Sequence, residues 1–207
     1  MKTTNVPFIE NASELDKQGN LIIVDTVNWD KFPYKPSVKF KIAHTGKSIC
    51  IKFEVDEKHV RGQEMQDNGD VYKDSCVEFF ISPDGDKNYY NFEFNCIGTP
   101  HVGYGSGREN RKPIPSERLK QISIRSSLPR TLIDKSNNQQ AWELVAEIPI
   151  SFFEEHKFSK LSEKTSTCNI YKCGDETETP HFLSWNPIKT ENPDFHRPEF
   201  FGTLIFD

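Results

Sequence analysis

The chain has 207 residues, 35% of them hydrophobic and 28% charged, with a formal net charge of −5. That balance excludes a phosphate-neutralising nucleic-acid surface, which needs a basic face, and no apolar run is long enough to span a bilayer as a helix. Sixteen phenylalanines, each able to bury a large area, supply a core that the aliphatic content alone would leave thin.

Alternation with a period of two dominates the chain from the start. Residues 21–24 read as a short strand, and Trp29 after them as a packing anchor. In 37–45, Val38, Phe40 and Ile42 share one face and Lys39 and Lys41 the other. In 48–56, Ile49, Ile51, Phe53 and Val55 repeat that pattern. Gly46 in the intervening turn marks a hairpin. Residues 74–82 and 89–97 read as a second hairpin around the loop 83–88. The basic segment 108–118 has no interleaved aromatics and reads as a solvated loop. Strands are then expected over 121–127, 141–149, 167–172 and 200–206. Trp142 alternates with aliphatic residues and belongs to the core, while Trp185 belongs to the core or supports a site. Only 150–158 carries a helical pattern. Many short strands and at most one short helix indicate an all-β protein, an antiparallel β-sandwich with jelly-roll-like or immunoglobulin-like layering and long loops. No repeat or linker divides it, so a single domain over 1–207 is expected.

The second hairpin carries the candidate chemistry. Symmetric pairing across its loop puts Glu78 opposite Glu93 and Cys76 opposite Asn95, with Phe92, Phe94 and Cys96 turned to the core. Asn91, Glu93 and Asn95 then face away from it. Like charges directly opposite on neighbouring strands are unfavourable, so two facing carboxylates call for an explanation. They accept hydrogen bonds from a ligand or cation, they share a proton, or the register is shifted by two residues and they do not meet. Sugars ask for this mixture of groups: flat aromatic rings cover the C–H face of a pyranose, and carboxylates and amides take its hydroxyls. Glu78, Glu93 and Asn95 are the candidate floor. Tyr72, just before the first strand, and Phe195, in the polar loop 192–198, are the candidate walls.

Five cysteines are an odd number and follow no disulfide-rich spacing. Cys50, Cys76 and Cys96 lie in strand-like runs, where free thiols pack as small hydrophobes. Cys168, Cys173 and His181 lie near one another in sequence but match no tight zinc pattern. The first twenty residues contain no signal-peptide core, so a cytoplasmic protein is expected, or an exported one whose leader has been removed.

The stretch from Tyr72 through Cys76-Val-Glu-Phe-Phe-Ile81, the tyrosine-rich strand from Tyr89 to Asn95, and the Ser184-Trp185 to Gly202 close resemble the family 9 carbohydrate-binding modules and their stand-alone relatives. The resemblance spans nearly the whole chain and is strongest over 71–98 and 180–206. It implies a β-sandwich that binds a mono- or oligosaccharide and has no catalytic residues of its own. In that family two tryptophans sandwich a terminal sugar, and their positions fall on Tyr72 and Phe195. A glutamate falls on Glu78, an asparagine on Asn95, a glutamine near Tyr171 and a loop asparagine near Asn192. One departure is sharp. Where the family has an arginine on the second hairpin strand, this chain has Glu93, which leaves the identity of the sugar open. The resemblance also allows a structural calcium ion, with no residues assigned to it, and a catalytic partner protein. No other cofactor is expected.

Three further readings stand beside this one. A glycoside-processing enzyme would use Glu78 and Glu93 as its paired carboxylates. A haem protein would need Met65 with His101, His181 or His196 as axial groups. A partner-binding sandwich would have no sugar ligand at all.

Overall fold

The computed structural model describes residues 1–109, 111–134, 139–156 and 160–207. In chain order its strands are β1 (Thr3–Val6), β2 (Asn20–Ile23), β3 (Thr26–Val27), β4 (Ser37–His44), β5 (Ser48–Glu57), β6 (Cys76–Ser82) and β7 (Tyr89–Asn95). They continue with β8 (Pro100–Gly105), β9 (Lys112–Pro113), β10 (Ser123–Ser126), β11 (Gln140–Pro149), β12 (Thr165–Cys173), β13 (Phe182–Ser184) and β14 (Gly202–Phe206). Five of them form one sheet in the order β10-β11-β5-β4-β2. The other sheet runs β1-β14-β12-β6-β7-β8-β9, with β13 beside β12 and β3 beside β13.

The alternating residues decide how the sheets meet. Phe40 and Phe53 from the smaller sheet pack against each other at 4.8 Å, and Phe40 stacks on Phe79 of the larger sheet at 5.7 Å. Trp142 is buried in the same core, as its alternation predicts. One ion pair is buried in this layer: Lys172 Nζ lies 2.9 Å from Glu57 Oε2, and Trp142 Nε1 donates to Glu57 Oε1 at 2.8 Å. The turn between β4 and β5 places Gly46 at φ 78°, a left-handed conformation that glycine adopts without steric cost.

Two details differ from the sequence reading. β1 joins the larger sheet parallel to β14, so the pairing is not wholly antiparallel. The helical pattern at 150–158 yields a 3-10 turn over Ile150–Phe152, and 157–159 lie outside the described residues. Side chains successive on a helix point about 100° apart, whereas here both Phe152 and Phe153 enter the core, against Phe92 at 5.3 Å and Tyr90 at 5.1 Å. Among the described residues, helix is otherwise confined to single turns such as Leu15–Gln18 and Ser116–Leu119.

The outer face of the larger sheet is not left to solvent. Phe80, Tyr89, Tyr171, Cys76 and Cys173 project from it and form a second apolar cluster with Trp29, Val71, Ile188, Phe195 and Phe201 of the long loops. The two faces of β6 and β7 are therefore both covered, and all seven residues of each strand are buried. Among the described residues, those loops leave an opening onto the sheet.

Candidate functional site

The opening is a cavity of about 510 Å³, lined among others by Tyr72, Glu78, Asn91, Glu93 and Phe195. The symmetric register holds: Glu78 faces Glu93, and Cys76 faces Asn95. The row extends on both sides, since Tyr171 lies opposite Glu78 on β12 and His101 lies opposite Glu93 on β8.

The floor is nearly closed to water. Glu78 is 3% exposed and Glu93 5%. Glu78 Oε1 accepts from the Cys173 thiol at 3.1 Å, and Glu93 Oε1 accepts from Asn91 Nδ2 at 2.7 Å. Burial pushes the Glu78 carboxyl well above its ordinary range, and the neighbouring charge of Glu93 pushes it further. Asp175, at the same wall, is raised to about 6 by burial, with Arg108 opposing and Glu93 adding to the shift.

The walls are aromatic. Tyr72 sits on the 3-10 turn Val71–Lys73 and is 36% exposed. That turn is tied to the segment after β12, with Asp175 N donating to Tyr72 O at 3.2 Å and Glu176 N to Lys73 O at 3.1 Å. Phe195 reaches the cavity from the loop before β14 but is 9% exposed, because its other face is stacked on Tyr171. His196 follows it, with Nδ1 2.9 Å from Tyr89 Oη. Burial, helped by Arg111 and Arg108, holds His196 down to about 3, so its ring is neutral.

The basic segment 108–118 is not simply a solvated loop, and this corrects the sequence reading. Arg111 folds back over the sheet and is half-buried, its guanidinium 4.3 Å above the Tyr89 ring. Nε donates to Asn91 Oδ1 at 3.0 Å, and Nη1 donates to the carbonyls of Gly105 and Gly107. Nη2 reaches Asn91 Oδ1 and the carbonyls of Tyr89 and Gly103. Gly103 makes the approach feasible, since a Cβ there would lie 2.9 Å from Asn91 Oδ1. Arg111 thus fixes Asn91, and Asn91 fixes Glu93. No local pattern in the segment announces this role. Asn91 did carry a signal, because it shares its strand face with Glu93.

Of the seven residues singled out from sequence, Tyr72, Glu78, Glu93 and Phe195 converge on the cavity. Asn95, Tyr171 and Asn192 lie off its lining. Asn95 is fully buried and braces the loop before β6: its Nδ2 donates to Glu64 O at 2.8 Å and Asp74 Oδ2 at 2.9 Å, and its Oδ1 accepts from Thr99 N. Tyr171 is buried behind Phe195 and donates to that residue's carbonyl at 3.0 Å. Asn192 is exposed, with its carbonyl accepting from Thr190 Oγ1.

Cys168, Cys173 and His181 do not form a metal site. Cys168 is in the main core, Cys173 is on the cavity side, and His181 Nε2 lies 2.8 Å from Lys172 Nζ. Cys76, Glu78 and Cys173 do converge, their side-chain ligand atoms all within 4.8 Å of one another. Two buried thiols with one carboxylate do not fit calcium, which takes six to eight oxygens. The haem arrangement also finds no support, since Met65 is exposed and His181 is committed to the buried lysine.

Two layered sheets with an aromatic-walled, carboxylate-floored cavity on the outer face of one of them define a β-sandwich ligand-binding domain. The chain belongs to carbohydrate-binding family 9, whose profile matches residues 10–206. It is similar to the crystal structure of a candidate carbohydrate-binding protein from Bacteroides uniformis ATCC 8492, with 43% identity and a TM-score of 0.95 over 100% of this chain and 99% of the other. Its fold also matches a family 9 module from Caldicellulosiruptor kristjanssonii in complex with cellotriose, with 12% identity and a TM-score of 0.64 over 100% and 94% of the two chains. A glucose complex of a family 9 module from the same organism matches with 11% identity and a TM-score of 0.60 over 100% and 96%. No curated protein matches the chain in sequence.

Proposed function

We propose that this domain binds a saccharide in the cavity between Tyr72 and Phe195 and performs no chemistry on it. The observation that carries the reading is the convergence of two aromatic side chains from distant segments over a paired-carboxylate floor in one cavity. The cavity volume lies within the usual range for small-ligand sites and suits one or two sugar rings. The B. uniformis relative is described as carbohydrate-binding, and the two C. kristjanssonii modules hold cellotriose and glucose. Family membership and the built site point the same way.

Paired carboxylates, one with a raised pKa, are also the equipment of a glycosidase. The placement speaks against that use. Glu78 and Glu93 rise side by side from adjacent strands into one floor, rather than flanking a bond from its two sides.

The test is calorimetric titration with a panel of mono- and disaccharides, with and without calcium, alongside an assay with aryl glycosides. Saturable binding without turnover is expected. Tyr72→Ala should weaken affinity about tenfold, the range of one aromatic contact, with an unchanged unfolding midpoint. Silence across the panel would overturn the proposal, and turnover abolished by Glu78→Gln would replace it with the enzymatic reading.

A further inference from the structure

The floor of the cavity is a pair of carboxyl groups. Glu78 and Glu93 are cross-strand partners, so their Cβ atoms are about 5 Å apart. Among the described residues, each accepts from one neutral protein donor, a thiol for Glu78 and an amide for Glu93. Next in the row, His101 places Nδ1 3.1 Å from the Gly69 carbonyl. A carbonyl partner accepts only, so Nδ1 donates and the other ring nitrogen is left for the cavity.

The cationic side chains near this floor direct their hydrogen bonds elsewhere. Arg111 directs its N–H groups to Asn91 and to four backbone carbonyls. Lys172 projects to the other side of β12, where it pairs with Glu57. Arg108 is exposed at the mouth, where its charge acts on Asp175. Among the described residues, no lysine or arginine forms an ion pair with Glu78 or Glu93. Two adjacent carboxylates taken out of water without a cation cost free energy that a bound cation would return.

Resting on the reading of the cavity as a sugar site, we infer that its saccharide carries a free amino group, seated as an ammonium between Glu78 and Glu93. An ammonium supplies three donors to this pair, where a hydroxyl supplies one. It also places a cation in direct contact with the pair, which no lysine or arginine among the described residues does. The same floor disfavours uronic and other acidic sugars, whose carboxylate would add a further negative charge beside the Glu78–Glu93 pair. An N-acetylated amine loses both the charge and two of its donors.

The experiment is calorimetric titration of the intact chain with four probes in both the gluco and galacto series: the neutral sugar, the 2-amino sugar, its N-acetyl derivative and the uronic acid. The amino sugar is expected to bind at least about tenfold more tightly than the neutral and N-acetyl forms, with the uronic acid weakest. In Glu78→Gln and Glu93→Gln the ratio of amino to neutral affinity should fall towards one. Equal binding of amino and neutral sugars would overturn this inference and leave the sugar site standing. A ratio unchanged in both variants would also overturn it. Binding of none of the eight sugars would overturn the underlying reading instead.

Discussion

The ring of Phe195 lies flat on that of Tyr171, with centroids 4.2 Å apart and planes 6° from parallel, and the Tyr171 hydroxyl donates to the Phe195 carbonyl at 3.0 Å. One residue thus holds both the ring and the backbone of a cavity wall. Tyr171→Phe keeps the stack and removes the hydroxyl, leaving a buried carbonyl without that donor. Stability should fall by about 1–2 kcal/mol, and sugar affinity should fall with it because the wall is no longer pinned. Denaturant unfolding and titration of the same sample test both. A destabilised variant with full affinity would mean that Phe195 does not contact the ligand.

Arg111 tests whether the floor is preorganised. A lysine keeps the charge but cannot reproduce a planar fork that reaches Asn91 and four carbonyls together. Arg111→Lys is expected to lower affinity at least as strongly as Tyr72→Ala, through a released Asn91 and a mobile Glu93. The amide signals of Gly103 and Gly105 should broaden or shift in NMR spectra. Unchanged spectra and affinity would reduce Arg111 to a surface residue.

All five cysteines are free and buried, and burial pushes the thiols of Cys50 and Cys76 up to about 12. The reactive species is the thiolate, so the native protein should give almost no reaction with a disulfide reagent near pH 8. Unfolding should release five equivalents. Cys173 borders the cavity and should be the first to react on long exposure, with bound sugar slowing it. Rapid native reaction of two or more thiols would contradict the packing of the outer layer.

Much of this architecture was legible because it depends on the simplest pattern, period-two alternation. The hairpin β6–β7 was placed with its register because symmetric pairing across the short polar loop proved right; alternation alone excludes a shift by one residue, which would have turned Phe79 and Phe92 away from the core, but not a shift by two. β1, β8 and β13 were not legible: Pro100 and Gly103 break the pattern of β8, and β1 and β13 are short pieces recruited by tertiary pairing. The site was read in part for a related reason. Strand residues such as Glu78 and Glu93 inherit their direction from alternation, whereas Arg111 gains its place from a loop that folds back over the sheet. Asn95 was misplaced in the floor because face parity cannot show that the loop before β6 closes over that end of the strand and turns the residue into a brace for Asp74.

The buried carboxyls give the fold a signed dependence on pH. In the native state burial, then the charge of Glu93, raises the pKa of Glu78 above its unfolded value, and burial raises Asp175 to about 6. The folded chain therefore binds these protons more tightly than the unfolded chain. Their contribution to stability is fully present below the unfolded carboxyl range, about pH 4, and is lost as pH rises through the folded values. The unfolding midpoint should accordingly carry a falling component that begins above about pH 4, its Asp175 part extending through about pH 6. Glu78→Gln retains an oxygen to accept from Cys173 and removes the charge, so it should gain in midpoint over the wild type at pH 8 and not at pH 4. Asp175→Asn should behave in the same sense over its own narrower window. Midpoint-against-pH curves that run parallel for wild type and both variants would show that these carboxyls reach water freely in the native state. A closed, donor-poor floor would then be untenable.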